Sequence, residues 1–248
     1  MKRLSNSVLK GVFVLLCGIV IAGVALARVS EEKVNDKYYQ VVMIWLKDPA
    51  KFQEYGQKMG PIVGKYGGSG ERILTPVESF YGGKTGEGLS KPDMVNIVYY
   101  YSKEAYENFE NDPAFKKIEH LRSESINMVA IGGKVKGGEL LPGDASQRLY
   151  MIEFGYFKDK GKNYKAYEKA SKGFNQRLGL NKERILIPDQ VWGDIALPDL
   201  VTIKYIDDAS NKSKMESDPD HAKIEALYGE AMSDLIWIEG KAAFINMN

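Results

Sequence analysis

One long pattern occurs twice in this chain of 248 residues, and the repeat constrains the fold more than any other feature. Residues 39–48 match 150–159 at an offset of 111, and the run Glu-Arg-Ile-Leu at 71–74 returns at 183–186. Further matches follow in the same order: 92–94 with 198–200, 112–113 with 218–219, 118–119 with 224–225, and 133–134 with 240–241. We therefore expect two similar units in one chain.

The periodicity within each unit predicts the order strand, helix, strand, strand, helix, strand. In the first unit, a continuous apolar run at 39–46 predicts the first strand. Asp48 is expected to cap the next helix, with Pro49 at its first position. The pair Gly67-Gly68 is expected to end that helix.

The second strand of the first unit is expected in two pieces, 71–75 and 79–81, because Pro76 interrupts it. A glycine-rich segment at 82–92 follows. This segment lacks the order of a phosphate-binding P-loop, so we interpret it as a flexible hairpin loop.

A βαββαβ unit covers one face of its sheet with helices and leaves the other face bare. Two tandem ferredoxin-like units, at 38–136 and 149–245, can cover each other's bare faces. The expected fold class is therefore α+β, with the two units forming an intrachain pseudo-dimeric α/β barrel. Pairing of each unit with another chain stays open, and so does the oligomeric state.

The pattern resembles the dimeric α/β-barrel superfamily, and in particular its branch known as domain of unknown function 1330. The resemblance rests on the stretch 47–55, on Gly67-Gly68, on 111–115 and on Leu121-Arg122. It covers 38–135 and, more faintly, 149–244, where Leu178-Gly179 and Leu227-Tyr228 depart from the pattern. The resemblance implies a barrel with a lumen, while the branch has no settled activity to carry over.

The first 27 residues have the features of a secretory signal. Lys2, Arg3 and Lys10 precede an uncharged run at 11–27 that ends in Ala-Leu-Ala, so cleavage is expected after Ala27. The expected location is periplasmic or secreted. The run is also long enough to span a bilayer, so an uncleaved membrane anchor is the alternative.

Composition excludes several classes of function. The net charge of +1 gives no field for nucleic acid, and the single cysteine excludes an internal disulfide and a Cys-based zinc cluster. The repeat duplicates neither His120 nor His221, so we predict neither a haem nor a metal ligand there. No Gly-x-Ser-x-Gly motif occurs, and no cofactor is predicted.

Polar residues that interrupt apolar strands are the best candidates for a site. Glu153 lies in the first strand of the second unit, whereas the aligned face of the first unit carries Val42. Thr202 and Lys204 share one face of the third strand. Because the first and third strands of a ferredoxin-like sheet are neighbours, we expect Glu153 to meet Lys204 and Thr202 on the inward face of the barrel.

Two interpretations of this pair stay open. Glu153 and Lys204 could neutralise each other without a ligand. Alternatively they form a catalytic pair, with Glu153 as a general base and Lys204 steadying an anion. The expected ligand-binding residues are Asn96, Thr202, Gly155 and Arg122, with Gly155 leaving room for the ligand.

The preferred function is that of an exported small-ligand-binding or accessory protein, because no catalytic constellation can be identified. The alternative is a cofactor-independent monooxygenase or isomerase that acts on a small aromatic or carbonyl compound in the barrel lumen. That alternative follows from the fold resemblance alone.

Overall fold

The computed structural model describes residues 36–136 and 147–245, so the predicted signal or anchor at 1–27 lies outside the described residues. The strands are β1 (Tyr38–Leu46), β2 (Ser69–Gly82), β3 (Met94–Tyr100), β4 (Ile126–Lys136), β5 (Leu149–Phe157), β6 (Leu180–Trp192), β7 (Leu200–Ile206) and β8 (Met232–Ile245). The helices are α1 (Pro49–Lys65), α2 (Lys103–Glu110), α3 (Pro113–Ser125), α4 (Lys162–Leu178), α5 (Lys212–Ser217) and α6 (His221–Ala231), and a 3₁₀ turn (Ala209–Asn211) precedes α5.

The strands close into an antiparallel barrel in the order β1-β3-β2-β8-β5-β7-β6-β4. The first half of the chain contributes β4-β1-β3-β2, and the second half contributes β8-β5-β7-β6. Two seams join the halves, β2 with β8 and β4 with β6. The chain is therefore an α+β protein whose two halves pair with each other in one barrel.

Local sequence signals explain where the helices begin. The carboxylate of Asp48 accepts hydrogen bonds from the backbone N–H groups of Ala50 and Lys51, with Pro49 at the first helical position. The cap predicted at Asp48 is thus confirmed. Among residues 36–136 and 147–245, no helix combines the length and the apolar character needed to cross a bilayer.

The predicted break in the second strand is wrong. β2 runs without interruption from Ser69 to Gly82 and takes up Pro76 at a register shift, where Pro76 pairs with Gly240 and Glu78 pairs with Glu239. A bulge inserts an extra residue and so accommodates a proline that cannot donate to the ladder. The later part of β2 forms the seam with the second half.

The barrel interior is filled with side chains. The buried members of this core, each at most 7% exposed, are Tyr39, Val41, Met43, Leu74, Val95, Ile97, Val129, Ile131, Tyr150, Ile152, Phe154, Leu186, Val201, Ile203, Tyr205, Ile236 and Ile238. Both halves contribute to it, and further apolar cores lie between each half-sheet and its helices. The expectation that the lumen holds a ligand finds no support in this packed interior.

The glycine-rich segment at 82–92 packs against the barrel instead of projecting freely. Leu89 packs on the interior core, and the backbone carbonyl of Ser90 accepts hydrogen bonds from the Trp45 indole and the Tyr81 hydroxyl. These contacts tie the segment to the ends of β1 and β2. The predicted hairpin loop is confirmed, since the segment joins the antiparallel neighbours β2 and β3.

Candidate functional site

Glu153, Thr202 and Lys204 lie together, but on the opposite face of the sheet from the one predicted. Alternate residues of a strand point to opposite faces. Ile152 and Phe154 belong to the barrel interior, so Glu153 between them points towards the helices of the second half. The expected inward position in the lumen is wrong, while the predicted meeting of the three side chains is observed.

The three side chains form a compact hydrogen-bonded group. The Nζ atom of Lys204 donates to both carboxylate oxygens of Glu153, at 2.8 and 2.7 Å. The hydroxyl of Thr202, directly across from Glu153 in the β5–β7 register, donates to Oε2 at 2.7 Å. The side chain of Lys204 is 5% exposed and that of Glu153 is 15% exposed, so the glutamate is the more accessible member of the pair.

The environment keeps Lys204 charged. Burial alone would lower the pKa of its ammonium, but the negative charge of Glu153 and the hydrogen bonds to it more than offset burial, and the pKa is raised. Because the ammonium and the carboxylate neutralise each other, the pair presents no net charge to a bound molecule.

Three tyrosines from α4 and α6 cover this group. Tyr164 and Tyr167 are three residues apart on α4 and therefore share one face. Their ring centroids are 5.7 Å apart, and the ring of Tyr228 on α6 packs edge-on against Tyr167 at 4.9 Å. Burial raises the pKa of Tyr228, and the charge of Glu153 raises it further, so the hydroxyl stays protonated.

The Tyr228 hydroxyl is a free polar group at this site. It is buried, and no hydrogen-bond partner for it lies within the described parts of the chain. A buried hydroxyl without a partner is costly, and ordered water or a ligand is a common solution. Tyr228 occupies the repeat position of Arg122, and that departure was the sequence signal that could have identified it.

Trp237 completes the wall of the site. It lies directly across from Glu153 in the β5–β8 register and is partly exposed. Sequence reasoning did not assign Trp237 to the site, because the local pattern does not show that this residue of β8 lies beside Glu153.

Gly155 does not provide the expected space. A Cβ atom at this position would lie 3.0 Å from Cε of Met232 and 3.4 Å from Cδ2 of Leu200. The expectation that Gly155 leaves room for a ligand is wrong, because Met232 fills that space.

Asn96 and Arg122 lie in the first half, away from Glu153. Asn96 takes the place on β3 that Thr202 takes on β7, and its Oδ1 atom has no hydrogen-bond partner within 36–136 or 147–245. Arg122 on α3 pairs with Glu119 at 2.7 Å and stacks over Phe115. The six predicted site residues are therefore divided between two regions rather than joined in one site.

A second buried polar cluster lies inside the barrel and joins its halves. Arg72 binds Glu183 through two hydrogen bonds, at 2.9 and 3.0 Å, while Arg184 binds Glu71 at 2.5 Å. Longer contacts, Arg72 to Glu71 at 3.6 Å and Arg184 to Glu183 at 3.8 Å, close an alternating ring of charges, which we call the barrel ring.

Sequence reasoning missed the barrel ring, although its signal was present in the repeated Glu-Arg-Ile-Leu run. Each arginine stacks on a tyrosine of the opposite half, Arg72 on Tyr150 at 4.3 Å and Arg184 on Tyr39 at 4.8 Å. Because each carboxylate is already paired with an arginine, we interpret the ring as a structural joint.

Nothing in the described ranges forms a metal centre, since no three His, Cys, Asp or Glu side chains there are grouped to hold an ion. His120 is exposed on α3, and His221 stacks on Phe174 at the start of α6. Both positions fit histidines on a helix flank.

We call this group of side chains in the second half the Glu153 cleft. It is defined by Glu153, Thr202, Lys204, Trp237, Tyr164, Tyr167 and Tyr228. Its aromatic walls suit a flat apolar ring, while the Tyr228 hydroxyl and the unfilled lone pairs of Glu153 suit polar groups at the edge of that ring.

Comparison with known proteins gives a family match for the first half of the chain. Residues 37–134 match the family described as Domain of unknown function (DUF1330). Comparison with curated proteins gives no match.

Solved structures share the fold at low identity. A structure described as an anthrone oxidase-like protein has 12% identity and a TM-score of 0.54, with 87% of this chain and 94% of that chain covered. A proposed monooxygenase from Fusobacterium nucleatum has 10% identity and a TM-score of 0.50, with 86% of this chain and 95% of that chain covered. A proposed chlorite dismutase has 10% identity and a TM-score of 0.50, with 84% of this chain and 95% of that chain covered. The chain therefore shares the fold of these structures, and its residues 37–134 match the domain of unknown function 1330.

Proposed function

We propose that this protein is exported and binds a small organic ligand in the Glu153 cleft. The observation that carries the proposal is the partly exposed side chain of Glu153, whose carboxylate is held by the buried ammonium of Lys204 at 2.7 Å beneath a cover of aromatic rings. Export is proposed from the signal-like segment at 1–27, with an uncleaved membrane anchor as the alternative.

The first half supplies the argument that the fold itself does not need this ion pair. Val42 and Val98 occupy the same sheet positions there as Glu153 and Lys204 in the second half. Taking two charges out of water costs free energy that their attraction offsets only in part. An ion pair at positions where the same fold packs with valines therefore favours a role in binding.

The ligand is proposed to be uncharged and aromatic, with a hydroxyl or carbonyl group at its edge. A charged ligand would have to compete with a pair that is already neutralised, whereas a flat ring can stack on Trp237 and the tyrosines. The Tyr228 hydroxyl is a free donor for a carbonyl oxygen, and Glu153 can accept from a hydroxyl group.

We also propose that the halves are two ferredoxin-like units, 38–136 and 149–245, of which only the second retains a polar ligand site. The matching strand orders of the halves and the reciprocal pairs of the barrel ring support this duplication. Each unit then supplies the sheet face that the other needs.

The test is retention of compounds from a mixed metabolite extract, identified by mass spectrometry. Wild-type protein is expected to retain a neutral aromatic compound, and Glu153→Gln is expected to lose it, because the amide cannot keep both the charge and the acceptor geometry. Asn96→Ala changes the corresponding region of the first half and is expected to keep full retention. Equal retention by wild type and Glu153→Gln would contradict the proposal.

The same experiment separates the two classes of function. A compound that is retained unchanged supports a binding protein. A compound that is converted during incubation would assign the alternative, a cofactor-independent monooxygenase or isomerase, to the same cleft.

A further inference from the structure

The two halves differ at the flank where each half-sheet meets the seam. In the first half, α2 closes this flank with aromatic contacts. The ring of Tyr106 packs edge-on against Trp192 at 5.4 Å and stacks on Tyr38 at 5.3 Å. Trp192 belongs to β6, so the second half contributes a ring that the first half covers.

The second half has a thinner cover at the corresponding place. At the repeat offset of 106, the region of α2 corresponds to the 3₁₀ turn and α5, and Lys212 stands where the first half has Tyr106. At the offset of 112, Phe80 on β2 corresponds to Trp192. Phe80 is 55% exposed, because no aromatic side chain from this segment covers it.

In place of that aromatic cover, Lys212 forms two ion pairs, which together we call the ionic strap. Its Nζ atom donates to Glu78 on β2 at 2.8 Å and to Glu239 on β8 at 2.7 Å. The same atom lies 5.3 Å from the ring centroid of Trp237. The ammonium therefore lies across Trp237 and ties α5 to both strands of the seam.

Trp237 connects this flank to the Glu153 cleft. It is the cross-strand neighbour of Glu153 on one side and of Phe80 on the other. On the helix side, the packed rings of Phe157, Tyr164, Tyr167 and Tyr228 close the cleft. The flank over Trp237 is thus the side closed by a single charged side chain instead of by packed rings.

We propose that a small aromatic ligand enters the Glu153 cleft across the exposed ring of Phe80 and the face of Trp237, and that Lys212 closes this entrance. The inference rests on the proposed ligand site in the second half and adds its route of entry. Ion pairs with exposed partners open more readily than packed aromatic contacts, since water and salt compete for the charges. The Lys212 side chain is 33% exposed; of its two partners, Glu78 is 59% exposed and Glu239 is 2% exposed, so the bond to Glu78 is the one open to solvent.

The test uses acrylamide, a small neutral quencher, and therefore needs no ligand. With Trp45 and Trp192 changed to phenylalanine, Trp237 is the only indole left. Lys212→Ala is expected to raise the quenching constant of Trp237 about twofold, because the local opening becomes easier. Lys212→Arg retains the charge and reach and is expected to match the parent.

Lys214→Ala is the matched control on the same helix, because Lys214 bonds only with Asn211 in its own segment among the hydrogen bonds of the described residues. A reporter with Trp192 as the only indole should not respond to Lys212→Ala. If Lys212→Ala disturbs folding, 1 M NaCl applied to the parent is expected to raise the quenching of Trp237 by weakening the strap.

An unchanged quenching constant in Lys212→Ala, or an equal rise in Lys214→Ala, would overturn the entrance. Loss of compound retention in the Glu153→Gln experiment tests the ligand site itself. The two proposals can therefore fail separately.

Discussion

The same sheet positions carry different chemistry in the two halves of this barrel. In the first half, Val42 and Val98 face the helices beside Asn96, whereas the second half places Glu153, Lys204 and Thr202 there. The strand order is the same in both halves, so the charged group is not a requirement of the fold. The charged group of the second half therefore has no counterpart in the packing of the first half.

Inside the barrel the halves are alike. Each contributes one glutamate and one arginine to the barrel ring, and each arginine binds the glutamate of the other half. A feature shared by both halves serves their common task, which is to close the barrel. A feature present in one half is the better candidate for a specific function.

The largest expected effect concerns the shared feature. Arg72→Met removes the bidentate partner of buried Glu183, and Arg184→Met removes the arginine that binds buried Glu71 through one hydrogen bond. Each variant is expected to lower the free energy of unfolding by about 3–5 kcal/mol, because an uncompensated buried charge is costly. Urea denaturation measures both values, and a loss below about 1 kcal/mol for either would contradict the ring as a structural joint.

A somewhat smaller loss is expected in the Glu153 cleft. Lys204→Met is expected to cost about 3 kcal/mol, since the carboxylate left behind is partly solvated. The double variant Glu153→Val, Lys204→Val places the valines of the first half at both positions. It is expected to recover most of that stability and to remove ligand retention. Urea denaturation midpoints measure the stability, and the retention experiment measures ligand binding. A double variant less stable than Lys204→Met would argue that the ion pair is structural.

The smallest expected effect is a difference in pH dependence. The pKa of Lys204 is raised in the folded protein, so the contribution of the pair is complete below about pH 10.4, the ordinary pKa of lysine. Above that pH the unfolded chain releases the proton first, and stability falls by about 1.4 kcal/mol per pH unit until the folded pKa is reached. Relative to the Glu153→Val, Lys204→Val double variant, wild type should lose stability more steeply between pH 10.5 and 11.5, about one unit above the lysine pKa. Thermal melts at each pH measure the two stabilities. An equal loss of stability with pH in wild type and in the double variant would refute this prediction.

Much of the fold could be predicted from the repeat and from periodicity, because these are local properties of the sequence. The cap at Asp48 and the neighbouring strands that join Glu153 to Lys204 follow from patterns within one half. β4 runs from Ile126 to Lys136 and so extends well beyond the short apolar run at 128–131. The extra length pairs with β6 of the other half, and a local pattern does not show such a seam.

The site was predicted in part for the same reason. Alternation identified Glu153, Thr202 and Lys204 as sharing a face, but it could not say which face was covered by helices and which by the other half. Which face of a strand lies inside the barrel depends on packing between strands that are distant in the sequence. Trp237 joins the site through the β5–β8 pairing, while the β2–β8 seam brings Glu78 of the first half within reach of Lys212.

The most direct test is a crystal structure of the protein with its retained aromatic compound. We expect density for the compound between the second half-sheet and α4 and α6, in contact with Glu153 and the ring of Trp237. The corresponding region around Asn96 in the first half should stay empty of it. Density inside the barrel, or in the first half alone, would contradict the account.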